Sequence, residues 1–266
     1  MELLYFQDNN GFLSNKYPTI INKITTTYQD WFKFIEEINT LIYDMYNYFN
    51  VKNNDIIGMY LITAFSKVHQ SFQSCSILYS YGLEDDVHII LRTMLESLFI
   101  SSSINNNKNN FNKLLKNQEI ENKSKLNNLI RAKLIKDKQI QKINYKEKTR
   151  ISDFAKKSKY REMYTAYSYL CAYTHIDLNT LEKKYDIKNN KVHSICIAPS
   201  VNDICFILTE LIGLMLAYID IIKDYLTKDF SQKLKEFNLK HKQLQKHTEE
   251  ICEKKQNIWQ SNKLCV

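Results

Sequence analysis

Glycine and proline are nearly missing from this chain, with 4 Gly and 2 Pro among 266 residues. Tight hairpins draw on glycine for the left-handed backbone they require, so a chain this poor in breakers favours long helices over sheets. The apolar residues agree. Pro18 suits a first helical position, and Ile24, Tyr28, Trp31, Ile35, Ile38, Ile42, Met45 and Phe49 then recur in steps of three and four. That is the spacing of one face of an amphipathic helix. The same reading along the chain predicts helices at about 18–50, 55–81, 83–104, 110–142, 152–174, 199–222 and 229–259, the fourth with a break near Asn122. Between the fifth and sixth, Val192 to Ile197 alternates enough for a short extended segment. The expected fold is therefore all-α: a single-domain helical bundle of about seven helices over residues 1–266, with 229–266 as a peripheral C-terminal helix.

Two of these helices constrain the architecture. The run from Ile204 to Ile222 is almost wholly apolar and near the length of about 20 residues that spans a bilayer. Glu210 and Asp220 interrupt it, and its neighbours are amphipathic, so it is expected at the centre of the bundle and not in a membrane. The helix at about 83–104 is apolar on most sides, yet His88, Arg92 and Glu96 follow one another at i, i+4 and i+8 and share one side. Gly82 offers a left-handed stop for the preceding helix, and Glu84, Asp85 and Asp86 suit the positive end of the new one. A charge on a covered helix is costly unless paired. Arg92 and Glu96 are thus the first candidates for function.

The net charge of +8 is unevenly placed. Residues 105–161 hold 17 Lys/Arg against 5 Asp/Glu, a local +12, which leaves about −4 for the rest. That basic segment is either a solvated helix face or a surface for RNA, phosphate or an acidic partner. Six cysteines lack paired spacing and sit in apolar surroundings, the N-terminus has no signal-peptide pattern, and a reducing cytoplasm is expected. No glycine-rich phosphate loop, HExxH, CxxC, Glu-x-x-His or GxSxG motif is present, so neither cofactor nor metal is expected.

The second candidate constellation is the run from Tyr160 to His175. Tyr164, Ser168, Cys171 and His175 fall on one line of a helix, and Tyr160, Tyr164, Tyr167 and Cys171 on another. A histidine beside tyrosine and serine hydroxyls can act as general acid or base. It can equally cap the helix end, where a cation or donor suits the last carbonyls.

The combination of a glycine entry at Gly82, Arg92-x3-Glu96 on an apolar helix, and the later tyrosines closed by His175 resembles a widespread uncharacterised bacterial helical family, domain of unknown function 5677. That family is similar in layout to HEPN domains, many of which are metal-independent ribonucleases of toxin–antitoxin and phage-defence systems. The resemblance covers Gly82 to Phe99 and Tyr160 to His175. It implies that Arg92, Glu96 and His175 form a catalytic group, with His88, Arg161, Tyr164, Tyr167 and Ser168 as binding residues. The Arg-x(4–6)-His spacing of HEPN nucleases is not matched, since Arg161 precedes His175 by fourteen residues. The implied function is a HEPN-like defence or toxin-type protein acting on RNA through residues 105–161, homodimeric and with a partner protein from the same operon. The alternative is a non-catalytic interaction module in which Arg92 and Glu96 form a buried structural ion pair. A third reading is a small-ligand pocket between helices.

Overall fold

The computed structural model describes Leu13 and residues 17–132, 139–174, 185–188, 191–195, 201 and 203–263. Among them are nine α-helices: α1 (Tyr17–Thr27), α2 (Gln29–Met45), α3 (Ile56–Ser80), α4 (Glu84–Asn106), α5 (Asn110–Arg131), α6 (Ile151–Ala155), α7 (Tyr164–Thr174), α8 (Ile204–Ile222) and α9 (Ser231–Lys263). A small antiparallel hairpin, β1 (Tyr185–Lys188) and β2 (Lys191–Ile195), lies between α7 and α8 in sequence. It falls where residues 192–197 were expected to be extended. The class is all-α with this one addition.

Nine helices replace the expected seven because two predicted helices are each divided. Residues 18–50 split at Tyr28, which takes a non-helical φ of −115° and ψ of 33° between α1 and α2. Residues 152–174 split into α6 and α7 around a 3-10 turn at Arg161–Met163. Periodicity runs through both breaks, since the apolar positions keep facing the core across them. The helix expected to reach residue 142 stops at Arg131, and no break occurs near Asn122. The chain then folds back along α5. Asn127 clasps the backbone of Gln141 by accepting from its N–H and donating to its C=O, both at 2.7 Å. Asn117 does the same to Thr149 at 2.9 and 2.8 Å. Two asparagines of α5 thus satisfy the backbone of a returning segment that has no sheet of its own.

The α3–α4 corner follows the sequence. Gly82 has φ of 71°, Gly82 N–H bonds Tyr79 C=O at 2.9 Å and Leu83 N–H bonds Leu78 C=O at 3.0 Å. These are the two bonds of a Schellman stop. Asp55 caps the other end of α3 by accepting from Gly58 N–H at 2.9 Å.

Helix α8 lies at the centre, packed on α3, α4 and α9. Its Ile207, Leu208, Leu211, Ile212, Leu214 and Met215 are fully buried. Each such side chain contributes about 1.5–3 kcal/mol relative to exposure. The length and apolarity of α4 and α8 would also allow membrane crossing, and the burial of most of each inside the bundle accounts for that apolarity. Helix α9 is docked along its first turns: Phe237 packs edge-on against Phe34, His241 Nε2–H donates to the Thr209 carbonyl at 3.0 Å, and Trp31 Nε1–H donates to Thr248 at 2.9 Å.

Candidate functional site

The polar residues of α4 form a seam against α7. Glu84, His88, Arg92 and Glu96 succeed one another every four residues, so a single stripe runs from the N-terminus of α4 to its middle. Helix α7 lies along that stripe. Its two ends differ.

At the inner end of the stripe, Arg92 Nη2 meets Glu96 Oε1 at 2.8 Å, and Tyr167 OH donates to the same carboxylate oxygen at 3.0 Å. The guanidinium also lies over the Tyr167 ring, 5.6 Å from its centroid. Both charged side chains keep about a quarter of their surface, 25% for Arg92 and 26% for Glu96. The pair is therefore half-open, not enclosed as the structural reading of the sequence expected. Burial opposes the charge on Arg92, but hydrogen bonding to Tyr167 and Cys171 and the carboxylate of Glu96 outweigh it, and its pKa is raised. Burial, with Glu96 adding to it, pushes the Tyr167 hydroxyl up to about 12. Arg92 Nε is buried without a hydrogen-bond partner among the described residues.

At the N-terminal end, Glu84 and His88 meet Asp203, the residue before α8. Glu84 Oε1 accepts from Asp203 N–H at 2.6 Å. Asp203 Oδ2 accepts from Tyr169 OH at 2.7 Å and Tyr173 OH at 3.0 Å. His88 Nε2 stands 3.5 Å from that oxygen, and its ring stacks on Tyr173 with centroids 3.9 Å apart at 21°. One ligand atom from each of Glu84, His88 and Asp203 lies within 4.8 Å of the others. Burial, and then the charge on Asp203, pushes Tyr173 up to about 12 and Tyr169 still further.

Of the residues singled out in the sequence, Arg92, Glu96 and Tyr167 come together and His88 lies on the same stripe. Tyr164 packs beside them through Phe99 and Tyr167. Ser168 is exposed and spends its hydroxyl on the Tyr164 carbonyl at 3.0 Å. Arg161 is exposed on the 3-10 turn before α7. His175 lies outside the described residues. Four members of the site escaped the sequence reading. By its place in the first turn Glu84 reads as a helix-dipole residue, although Glu84-x3-His88 also puts it on the stripe. Tyr169 and Tyr173, four apart, share a side of α7. Asp203 gave no local signal, because only the path of the chain brings it to α4.

The model of DUF5677, a family of unknown function, matches residues 58–192, just over half of the chain. The chain belongs to DUF5677. The matched span holds α3 to α7 and therefore the whole α4–α7 seam, while Asp203 lies beyond it. No curated protein and no solved structure matches the chain. What defines this DUF5677 member chemically is thus its own geometry.

A cleft of about 540 Å³ opens between α7 and α8, lined by Glu162, Met163, Thr165, Ala166, Tyr169, Phe206 and Glu210. Glu210 is half-buried there, and burial pushes its carboxyl up to about 7.

Proposed function

We propose that this DUF5677 protein is a HEPN-like protein of defence or toxin type that engages the phosphate backbone of RNA at the Arg92 end of the seam. The observation that carries this reading is the state of the Arg92 guanidinium. It is held in place by Glu96 and Tyr167 and keeps about a quarter of its surface open to solvent. Arginine's planar fork suits a phosphate oxygen, and a guanidinium fixed in advance loses little entropy on binding. The basic segment supports the same partner. Lys159 N–H bonds Ser102 Oγ at 2.9 Å and Asn106 bonds the Lys157 carbonyl at 2.9 Å, which anchors Lys156 to Lys159 at the C-terminal part of α4. Ser102 is ten residues from Arg92, about 15 Å along a helix. A few nucleotides of single strand bridge that distance.

The arrangement favours recognition over cleavage. Arg92, Glu96 and Tyr167 provide a phosphate ligand, an acceptor and a hydroxyl that stays protonated, and the described histidine of the stripe, His88, faces Asp203 instead. The test is fluorescence anisotropy with labelled tRNA and unstructured RNA at low and physiological salt. Salt-dependent binding is expected, weakened about tenfold in Arg92→Ala and less in Arg92→Lys. Equal affinity of wild type and Arg92→Ala for both RNAs would overturn the proposal.

The interaction-module reading rests on a different observation, the closed triangle of Arg92, Glu96 and Tyr167. It expects Arg92→Ala to lower the melting temperature markedly while leaving RNA binding unchanged.

A further inference from the structure

We infer that Glu84, His88 and Asp203 bind a divalent first-row transition-metal ion, zinc or manganese, at the junction of α4, α7 and α8. The argument stands apart from the RNA contact proposed at Arg92 and uses neither Arg92, Glu96 nor Tyr167.

His88 is fully buried, and neither ring nitrogen has a hydrogen-bond partner among the described residues. An imidazole always carries at least one donor or acceptor that must be matched, and leaving one unmatched in the interior costs about 1–3 kcal/mol. A second buried histidine in this protein shows the ordinary solution. His69 Nε2–H donates to Asn39 Oδ1 at 2.8 Å and its Nδ1 accepts from Tyr46 OH at 2.9 Å. His88 lacks both bonds and instead points Nε2 at a carboxylate oxygen 3.5 Å away. That separation is long for a hydrogen bond. It matches two ligands on one ion: donors about 2.1 Å from a tetrahedral centre stand about 3.4 Å apart.

The rest of the site fits. Glu84 is buried on the same stripe one turn earlier, and its ligand atom lies within 4.8 Å of those of His88 and Asp203. Asp203 is held by the Tyr169 and Tyr173 hydroxyls, and Tyr173 fixes the plane of the imidazole by stacking. Oriented ligands of this kind surround metal sites. The Tyr79 hydroxyl, also buried without a hydrogen-bond partner among the described residues, belongs to the same junction. One imidazole with two carboxylates is a borderline-hard set that favours zinc or manganese over magnesium, which prefers oxygen ligands and its own water.

The test uses the full-length, tag-free chain stripped with chelator and titrated with Co²⁺ as a visible probe. One Co²⁺ per chain is expected to give a saturable d–d absorption band, displaced by Zn²⁺ but not by Mg²⁺, and to raise the melting temperature. His88→Gln and Asp203→Asn are expected to lose the band and the thermal shift. Should His88→Gln fail to fold by circular dichroism, Asp203→Asn decides, since its side chain is shape-conserving and partly exposed. Absence of a saturable equivalent, effective competition by Mg²⁺, or an unchanged equivalent in a folded Asp203→Asn would each overturn the assignment.

Discussion

His69 and His88 are both buried histidines on neighbouring helices, and their surroundings differ. His69, on α3, closes a network with Asn39 and Tyr46, and Gln73 adds a bond to the same Asn39 oxygen at 2.9 Å. Burial lowers its pKa, and the imidazole stays neutral with one nitrogen donating and the other accepting. His88, on α4, has a stacking partner and a carboxylate at 3.5 Å but no hydrogen bond from either nitrogen among the described residues. Three further buried side-chain atoms lack a hydrogen-bond partner among the described residues: Tyr79 OH, Arg92 Nε and Glu210 Oε2. The His69 network satisfies its own polar groups, whereas α4 and α8, with Tyr79 of α3, hold several in reserve. Native interiors rarely tolerate such groups without reason. The difference marks the second region as the one prepared for something other than the chain itself.

The largest expected effect breaks or upholds that contrast directly. His69→Phe leaves Asn39 and Tyr46 with unmatched groups and is expected to destabilise by roughly 4 kcal/mol, about 2 for each. His88→Phe in chelator removes a ring whose nitrogens are unmatched, so its expected effect is within about 1 kcal/mol of zero. Urea unfolding of both variants measures this. Equal losses would mean that His88 is satisfied as fully as His69.

Next comes Glu210, the reserve carboxylate beside the cleft. Its pKa is raised by burial to about 7. The folded protein therefore holds a proton on it that the unfolded chain releases from about pH 4.5 upward. Stability is expected to fall as pH rises from about 4.5 to 7, by at most about 3 kcal/mol from this group, and to level off above 7. In Glu210→Gln that segment of the pH profile is expected to flatten, with a gain in stability near pH 8. An unchanged profile would show that the carboxylate finds a partner in the folded state.

The same contrast explains what was legible in the sequence. The scarcity of breakers, the helical rhythm and the uniform apolarity of α8 announced the class, and Gly82 announced the α3–α4 corner, because each is a local signal. Helix ends were less legible: Tyr28 and the Arg161–Met163 turn break the backbone without breaking the apolar pattern, and the return of residues 139–150 depends on asparagine clasps that resemble ordinary polar helix surface. The i, i+4 stripe of α4 pointed to Arg92, Glu96 and His88, again locally. Asp203 was invisible, since its role depends on a partner, Glu84, 119 positions away in the chain. Sequence periodicity locates one wall of a site far better than the opposite wall.

The smallest expected effect concerns the half-open end of the stripe. Arg92 and Glu96 retain about a quarter of their surface, so water screens their attraction and the pair at i, i+4 adds at most about 1 kcal/mol. Tyr167 changes the arithmetic slightly, because its hydroxyl bonds the same oxygen that Arg92 meets. Arg92→Ala is expected to cost less than about 1 kcal/mol, and a double-mutant cycle with Glu96→Gln to give a coupling of a few tenths that shrinks in salt. A structural ion pair at the heart of the bundle would behave differently. Removing one partner of an enclosed pair strands the other and costs about 3–5 kcal/mol, with little dependence on salt. A small, salt-sensitive coupling therefore places this end of α4 with the reserve groups, and a large, salt-insensitive one would move it to the self-satisfied side with His69.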